Sequence, residues 1–386
     1  MPVGVDEAVG RIAGFVGRHP ELAAAAVVSV LAVGSVGYAL KQFTRPMGKQ
    51  FVDAVSEREE LAVLTHPNPD PDAMAAAMGV ARLADELGVD ATIQFAGQVR
   101  HQENRAFRNL LDVDLVQIEA ASELAAEAVV LVDHNEPRGF TGAEAVIPFA
   151  VVDHHPGDGS GETFTDVRTE YGACSTIVAK YFRDLDAVPV PPERHESELG
   201  VTYPIPSQVA TGLLFGILTD TNHLTSGVAD ADFDASRYLY PGVNESLLER
   251  IANPQVSADV LETKARAIEN RTVEGPFAIS DVGSLSNVDA VPQAADELIK
   301  LEGVTAAVVY GEREGTIHLS GRSHDDRIHM GRTLQAAVSD VPNATAGGHA
   351  RMGGGQIDPA DEESAVAADR RSALVSRLFE ALEGDI

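Results

Sequence analysis

LAVLTHPNPDPDA, residues 61–73, is the stretch that decides the fold. Its first five residues are apolar or β-branched and predict a buried strand, and its prolines then stiffen a turn that carries His66, Asp70 and Asp72. Open α/β sheets bind their ligands beyond the carboxyl ends of their strands. One imidazole and two carboxylates at this point therefore predict a polar site at the edge of a sheet.

Three further predicted elements also end in carboxylates and imidazoles. They are strands over 128–132 and 147–152 and a helix over 207–218, followed respectively by Asp133 and His134, by Asp153, His154 and His155, and by Asp220. A single Asp at a strand end is more often a helix cap or a turn former than a ligand. Four such clusters at successive element ends instead predict one shared site. Mixed carboxylate and imidazole ligands suit divalent cations, with Mn²⁺ as the natural occupant.

The surrounding sequence alternates short β-branched runs with helical patterns, which is typical of an α/β protein. We predict a parallel-sheet domain over residues 51–225, a helical connector over 226–270 and a smaller α/β domain over 271–386. Residues 188–206 are rich in proline and polar side chains and predict a surface loop or lid. The last domain should contain a glycine-rich loop near residue 347 and a surface helix over 361–383.

The N-terminal segment, residues 1–50, contains an uncharged apolar run over 22–40. As a helix this run would be roughly 28 Å long, close to the roughly 30 Å of a bilayer's hydrocarbon core, so we expect a single transmembrane helix. A buried core helix and a cleaved signal peptide are the alternatives. Lys41, Arg45 and Lys49 follow the run. By the positive-inside rule, they place the remaining domains in the cytoplasm at the cell membrane.

The charge of the chain is strongly negative, because 59 acidic residues outnumber 29 basic ones for a formal net charge of −30. Only five of the basic residues are lysines and there is no tryptophan, which is typical of a halophile. Such a surface disfavours long nucleic acids, since phosphates require a basic footprint. The net charge of the chain says little about the charge inside one cleft. The single cysteine, Cys174, lies in an apolar helical pattern and is expected to serve packing.

Taken together, the motifs resemble those of the DHH phosphoesterase superfamily with a DHHA1 domain. The resemblance lies in HPNPDPDA (66–73), Asp133, DHH (153–155) and TDT (219–221), and in LSGRS (319–323) and Gly347-Gly348-His349 for the DHHA1 domain. This combination is similar to short-oligonucleotide exonucleases, to phosphoadenosine-phosphate phosphatases and to phosphodiesterases that act on cyclic dinucleotides. With the acidic composition, it indicates a haloarchaeal member of that group.

The resemblance implies two bound Mn²⁺ ions, with Mg²⁺ or Co²⁺ as substitutes. One ion would be held by His66, Asp70 and Asp133, and the other by Asp72, Asp133, His154 and Asp220. Asp133 would therefore bridge the two ions. Two cations about 3.5–4 Å apart can convert a bridging water into a hydroxide that attacks the phosphorus in line.

Further roles follow from the same resemblance. Asp153 would orient the imidazoles that follow it, and His155 would face the scissile phosphate, so these two residues and Asp133 are the expected catalytic group. His134 matches no ligand position and is expected to be structural or to support a ligand. The substrate-binding residues would be Arg322, Gly347, Gly348 and His349. Met352-Gly353-Gly354 stands where the family usually has Ala-Ala-Gly, which leaves the preferred base open.

We therefore expect a membrane-anchored, manganese-dependent phosphodiesterase of short nucleotides. Its substrates would be oligoribonucleotides of a few residues, phosphoadenosine phosphate or cyclic dinucleotides, whereas long duplexes would be repelled. Family II inorganic pyrophosphatases share the metal motifs, but this chain has no Ser-Arg-Lys-Lys-like signature. A RecJ-like exonuclease would need further nucleic-acid-binding domains. A catalytically silent nucleotide sensor at the membrane is the alternative from another class, and a homodimer is compatible with the sequence.

Overall fold

The computed structural model describes residues 45–99, 101–198, 200–358 and 366–384. The chain divides into two compact units, one that ends at Ala252 and one that begins at Asn253, apart from residues 100–102, which group with the second. The predicted transmembrane run, 22–40, lies outside the described residues. Within the described ranges, no helix is both long enough and apolar enough to cross a membrane.

The first unit is built on a six-stranded parallel sheet. Its strands are β1 (Glu60–Thr65), β2 (Asp90–Phe95), β3 (Val116–Gln117), β4 (Val129–Val132), β5 (Ala150–Asp153) and β6 (Phe164–Val167). Their order is β3-β2-β1-β4-β5-β6, and all neighbours are parallel. The chain moves outward from β1 to β3 and then crosses back to β4. The switch point at which such sheets bind ligands therefore lies between β1 and β4.

Helices cover this sheet and complete the core of the first unit. They are α1 (Met47–Ser56), α2 (Pro71–Glu86), α3 (Gln102–Leu110), α4 (Cys174–Asp184), α5 (Ser207–Asp220), α6 (Asp230–Leu239) and α7 (Glu245–Ala252). The start of α2 is set locally, because Asp70 caps it by accepting from Ala73 N at 3.0 Å and Pro71 occupies its first turn. Alanines at 73 and 75–77 are fully buried and let α2 pack closely.

The predicted loop or lid over 188–206 contains regular structure. Two short strands, β7 (Val188–Pro189) and β8 (Pro204–Ile205), pair in parallel inside it. Their backbone hydrogen bonds join residues 14 or more positions apart. Composition alone does not show such pairing, so the prediction of a surface loop or lid was wrong at its two ends.

The second unit contains a mixed six-stranded sheet. Its strands are β9 (Arg271–Glu274), β10 (Phe277–Ser284), β11 (Ala306–Arg313), β12 (Thr316–Ser323), β13 (Ala344–Gly348) and β14 (Met352–Ile357), in the order β13-β14-β12-β11-β10-β9. Four helices accompany it: α8 (Ala258–Glu269), α9 (Ala290–Leu298), α10 (Met330–Val338) and α11 (Val366–Glu383). Alternate residues of β10 and β11 enter two separate apolar clusters, one with α8 and α9 and one with α10 and α11. Both faces of the sheet are therefore covered.

Two predictions for this unit were wrong. The glycine-rich segment was expected to be a loop, but its glycines form the β13–β14 hairpin, in which Gly347 pairs with Gly354 and Gly348 with Gly353. The helix expected at the surface, α11, buries Leu374, Leu378 and other apolar residues of its C-terminal half. Polar and apolar residues are mixed along this helix, so its composition did not show that one face is apolar.

Candidate metal centre

The predicted site residues of the first unit meet at the switch point of its sheet. His66 follows β1, Asp133 follows β4, and the α5 helix ends in Asp220. Asp70 and Asp72 lie at the start of α2, and the pair His154 and His155 follows β5. Side chains from separate elements thus form one cluster, as predicted from the polar residues at the ends of these elements.

His66 lies between two carboxylates. Its Nε2 atom is 3.5 Å from Asp70 Oδ2 and 3.4 Å from Asp133 Oδ2. Its Nδ1 atom is 3.0 Å from the carbonyl oxygen of Pro67. When Nδ1 carries the proton, it donates to that carbonyl and Nε2 is left as a ligand atom directed at the two carboxylates.

His154 is arranged in the same way on the other side of Asp133. Its Nε2 atom lies 3.3 Å from Asp133 Oδ1, 3.4 Å from Asp220 Oδ2 and 4.0 Å from Asp72 Oδ2. Its Nδ1 atom lies 3.2 Å from the carbonyl oxygen of Tyr171. The imidazole is therefore held from behind by the backbone, and its second nitrogen faces three carboxylates.

Asp133 stands between the two imidazoles and shows why protein groups alone do not complete this site. The residue is 1% exposed, and among the described residues neither carboxylate oxygen has a hydrogen-bond partner, nor does His154 Nε2. A buried charge without hydrogen bonds costs several kcal/mol. The backbone of Asp133 is also left-handed, with φ of 62°, a conformation that costs about 1–3 kcal/mol. Divalent cations would satisfy these oxygens, so the residues fit a metal centre.

Three overlapping groups of residues could each hold a metal ion, because the ligand atoms within each group all lie within 4.8 Å of one another. They are His66, Asp70 and Asp133; Asp72, Asp133, His154 and Asp220; and Asp133, His154 and His155. Asp133 belongs to all three. The structure thus brings together every residue that the sequence predicts as a metal ligand, with the predicted bridging residue at the centre.

Without cations, the imidazoles hold protons in the place of metal ions. Burial lowers the pKa of His66, but the carboxylates of Asp133 and Asp70 that face its ring outweigh burial and raise that pKa to about 11. For His154, burial likewise lowers the pKa, and the facing carboxylates of Asp133 and Asp220 raise it to about 12. Both imidazoles therefore carry protons at neutral pH, and binding of a cation must displace them.

The pKa values of the carboxylates are also shifted by burial and by the neighbouring charges. Burial, together with the charges of Asp220 and Asp133, raises the pKa of Asp72 well above its usual value. Burial also raises the pKa of Asp220 to about 6, although attraction to the imidazole of His154 opposes that shift. Burial acts in the same sense on Asp133, but attraction to the imidazoles of His154 and His66 outweighs it and holds its pKa below the usual value. The site is short of positive charge.

Asp153 orients the residues beside it. Its buried carboxylate accepts from the backbone N–H groups of His154 and His155 at 2.8 and 3.1 Å and lies 2.9 Å from His155 Nδ1. Asn135 donates its side-chain amide to the other oxygen at 2.7 Å. The side chain of His155 is half exposed, so its Nε2 atom can reach a ligand. Asn135 was missed by sequence reasoning, although its place two residues after Asp133 was a signal.

Asp72 is held by a contact that the sequence did not predict. Its two oxygens accept the backbone N–H groups of Cys174 and Ser175, the first residues of α4, at 2.6 and 2.9 Å. A helix N-terminus stabilises a carboxylate. Burial raises the pKa of the Cys174 thiol well above its usual value. Cys174 therefore supports Asp72 through its backbone and lacks the thiolate that a nucleophile needs.

The structure does not place His134 in any of the three ligand groups. It is buried, and its Nδ1 atom lies 2.9 Å from the carbonyl oxygen of Val132. Burial lowers the pKa of His134 to about 4, so this imidazole is neutral. These contacts are those of a structural residue.

The four predicted substrate-binding residues lie at one end of the sheet of the second unit. Arg322 is on β12, Gly347 and Gly348 end β13, and His349 is exposed in the turn to β14. Arg322 donates to Asp296, to Ser320 Oγ and to its neighbouring carbonyl. Its guanidinium, predicted to be available to phosphate, is therefore already paired with a carboxylate.

Comparison with known proteins gives matches in both units. Residues 60–217 match the DHH family, N-terminal domain, and residues 274–372 match the DHHA1 domain. A probable manganese-dependent inorganic pyrophosphatase of Enterococcus faecalis is 30% identical over 265 residues, which are 64% of this chain and 77% of that protein. The cyclic-di-AMP phosphodiesterase GdpP of Geobacillus thermodenitrificans is 27% identical over 326 residues, 76% of this chain and 46% of that protein.

Two further matches cover most of this chain. An uncharacterized protein of Methanocaldococcus jannaschii is 35% identical over 291 residues, 75% of this chain and 57% of that protein. The chain thus spans about half the length of this relative and of GdpP. The crystal structure of an exopolyphosphatase-related protein from Bacteroides fragilis has a TM-score of 0.62 at 15% identity and covers 87% of this chain and 97% of that one. That likeness shows a shared fold.

Proposed function

The chain belongs to the DHH family and carries a DHHA1 domain, and from this premise we propose that it is a metal-dependent phosphodiesterase of short nucleotides. One observation carries the proposal. The buried carboxylate of Asp133 faces His66 with one oxygen and His154 with the other, and both oxygens lack hydrogen bonds. Such a carboxylate suits a bridge between two cations.

We assign His66, Asp70 and Asp133 to one cation and Asp72, Asp133, His154 and Asp220 to the other. Mn²⁺ suits this mixture of oxygen and nitrogen ligands, and Mg²⁺ or Co²⁺ are expected to substitute. Bound cations would lower the pKa of a water molecule and stabilise charge on the phosphoryl oxygens. The protein supplies the rest of the chemistry through the orientation of its own residues.

His155 is the residue placed to contact substrate. Its hydrogen bond with Asp153 raises its pKa above the usual value and so favours the protonated ring. With Nδ1 fixed on Asp153, Nε2 can donate to a phosphoryl oxygen. Asp153 is in turn fixed by backbone amides and Asn135, so the direction of His155 is defined before substrate arrives.

Short nucleotides, cyclic dinucleotides among them, are the proposed substrate class. GdpP, a cyclic-di-AMP phosphodiesterase, matches 76% of this chain. In the second unit, the imidazole of His349 is exposed and can donate to a phosphate or a base, and the space beside Gly347 is open. A phosphate that binds Arg322 would have to compete with Asp296.

Inorganic pyrophosphate is the second candidate substrate, because the relative from Enterococcus faecalis is named as a probable pyrophosphatase and 77% of it is covered. The absence of a Ser-Arg-Lys-Lys-like signature from the sequence counts against pyrophosphate. Residues 22–40 are proposed to anchor the chain in the cell membrane, with both units in the cytoplasm. Retention of the full chain in membranes after a high-salt wash would support that part, and release would refute it.

The deciding experiment measures turnover by the purified chain with Mn²⁺. Cyclic di-AMP, the linear diadenylate dinucleotide, phosphoadenosine phosphate and pyrophosphate would be compared at equal concentration. We expect hydrolysis of the dinucleotides and little of pyrophosphate. Faster turnover of pyrophosphate would favour the second candidate, and no turnover of any of the four would refute the enzymatic function.

A further inference from the structure

One peptide group joins a buried carboxylate to the imidazole of His154. The carbonyl oxygen of Tyr171 lies 3.2 Å from His154 Nδ1. The N–H of Gly172, which belongs to the same peptide group, donates to Asp232 Oδ1 and Oδ2 at 3.2 and 3.0 Å. The order of groups is therefore Asp232, the peptide, His154 and the cluster of ligand atoms around Asp133.

Asp232 is fully buried, with 0% exposure. Besides the N–H of Gly172, its carboxylate accepts from Thr176 Oγ1 at 2.6 Å and from Ala229 N at 2.7 Å. These three donors are all uncharged groups. The negative charge of Asp232 therefore acts on the dipoles around it, and the Tyr171–Gly172 peptide is one of them.

The peptide can transmit this charge. Because the amide is conjugated, a carboxylate on its N–H increases the electron density on its carbonyl oxygen, and successive hydrogen bonds strengthen one another. A stronger acceptor at Tyr171 fixes the proton of His154 on Nδ1. It also makes Nε2 a better ligand, as an outer carboxylate does when it contacts a metal-binding histidine directly.

The backbone at Gly172 is closely packed. A Cβ atom on Gly172 would lie 2.6 Å from Asp232 Oδ2, 2.5 Å from Thr221 Cγ2 and 2.7 Å from the carbonyl oxygen of Gly227. No residue other than glycine fits there. Thr221 directly follows Asp220, so the same peptide is packed against the end of α5 that carries another ligand of His154's group.

We propose that Asp232 is a positioning residue of the metal centre, which acts on His154 through the Tyr171–Gly172 peptide. The inference rests on the proposed metal-dependent function, and it concerns only the binding of cations. Asp232 also stabilises the start of α6, since it accepts from Ala229 N within its own first turn. If Asp232 only stabilised the fold, loss of its charge and loss of its hydrogen bond from Thr176 would have the same effect on Mn²⁺ affinity.

The test compares two variants of the full chain, Asp232→Asn and Thr176→Val. Asp232→Asn removes the charge that polarises the peptide. Thr176→Val removes a hydrogen bond to the same carboxylate but leaves its charge and the peptide in place. Thermal melts report folding, and equilibrium dialysis with Mn²⁺ reports the affinity of each of the two proposed sites.

We expect Asp232→Asn to weaken one of the two Mn²⁺ sites by on the order of 10-fold, at the lower end of the range for outer partners of metal ligands. Thr176→Val should keep both affinities, although both variants lose some stability. Unchanged affinity in folded Asp232→Asn would overturn the inference, as would an equal loss in Thr176→Val. Wild-type protein that binds two Mn²⁺ ions and hydrolyses nothing would refute only the proposed function.

A second measurement uses wild-type protein and does not depend on whether the Asp232 variant folds. In wild-type protein loaded with diamagnetic Mg²⁺, the Nδ1 proton of His154 should give a slowly exchanging low-field NMR resonance. His154→Gln would identify the resonance by its loss. A His154 ring with its proton on Nε2, or an Nδ1 proton that exchanges as fast as that of an exposed histidine, would contradict the inference.

Discussion

Asp133 concentrates the demands of the site in a single residue. Its carboxylate faces two imidazoles, one from each proposed cation site, and its backbone is left-handed, a conformation that costs about 1–3 kcal/mol. Asp133→Asn keeps the shape but removes the charge that two ions would share. We expect activity to fall by more than the roughly 10- to 100-fold typical of outer partners, measured as kcat/KM with Mn²⁺.

A matched control exists for this variant. Asp112 also has a positive φ, 54°, but it is exposed and lies outside the cluster. Asp112→Asn should keep full activity. Equal rates in Asp133→Asn and wild type would remove Asp133 from the metal centre.

The two imidazoles next to Asp133 predict how metal binding depends on pH. The pKa values of about 11 for His66 and about 12 for His154 lie above the usual 6.5, so both rings are protonated at neutral pH in the metal-free protein. Mn²⁺ must displace these protons, and its affinity should therefore rise with pH throughout the range below about pH 11. Calorimetry in buffers of different ionisation enthalpy would count the protons, and binding without proton release would contradict these charge states.

The ligands could be predicted from the sequence because each lies at or next to the end of an element whose apolar pattern is clear. His66 and Asp133 lie one residue beyond β1 and β4. Their supports could not be predicted, because they depend on distant contacts. The backbone amides of Cys174 and Ser175 reach Asp72 from more than 100 positions away, and Asp232 reaches Gly172 from 60 positions away.

Packing between helices gives a test at the scale of elements. A Cβ atom on Gly216 of α5 would lie 2.4 Å from Ser175 Oγ and 2.9 Å from Asp72 Oδ1. A Cβ atom on Gly79 of α2 would lie 2.5 Å from Val178 Cγ1, away from the ligands. We expect either change to alanine to cost about 1–3 kcal/mol of unfolding free energy through overpacking.

Only Gly216→Ala should also weaken Mn²⁺ binding, because it displaces Asp72 from the amides that hold it. Denaturant melts and Mn²⁺ titration on both variants would separate the two effects. A loss of Mn²⁺ affinity in Gly79→Ala of the same size would show that general loosening, and not Asp72, determines affinity.

The β13–β14 hairpin is the element that the sequence described least well. Its glycines have low strand propensity, and they form strands here because β14 pairs along six residues of β12. A Cβ atom on Gly347 would meet nothing within 4 Å among the described residues. Gly347→Ala should therefore leave the melting temperature unchanged and raise KM for a dinucleotide, since the new methyl group lies where a ligand would approach. An unchanged KM would place substrate elsewhere.

At the scale of the whole molecule, the net charge of −30 makes a prediction that is independent of the site. Excess charge of one sign destabilises a compact state by self-repulsion. Salt shortens the screening length from about 10 Å at 0.1 M to about 3 Å at 1 M. The melting temperature of the metal-free protein should therefore rise by several degrees between about 0.1 M and 2 M KCl.

Sucrose, which is excluded from protein surfaces without screening charge, should stabilise it less. A melting temperature that is flat or falls with KCl would show that the acidic residues are spaced well enough to avoid repulsion, and would remove the argument for adaptation to high salt.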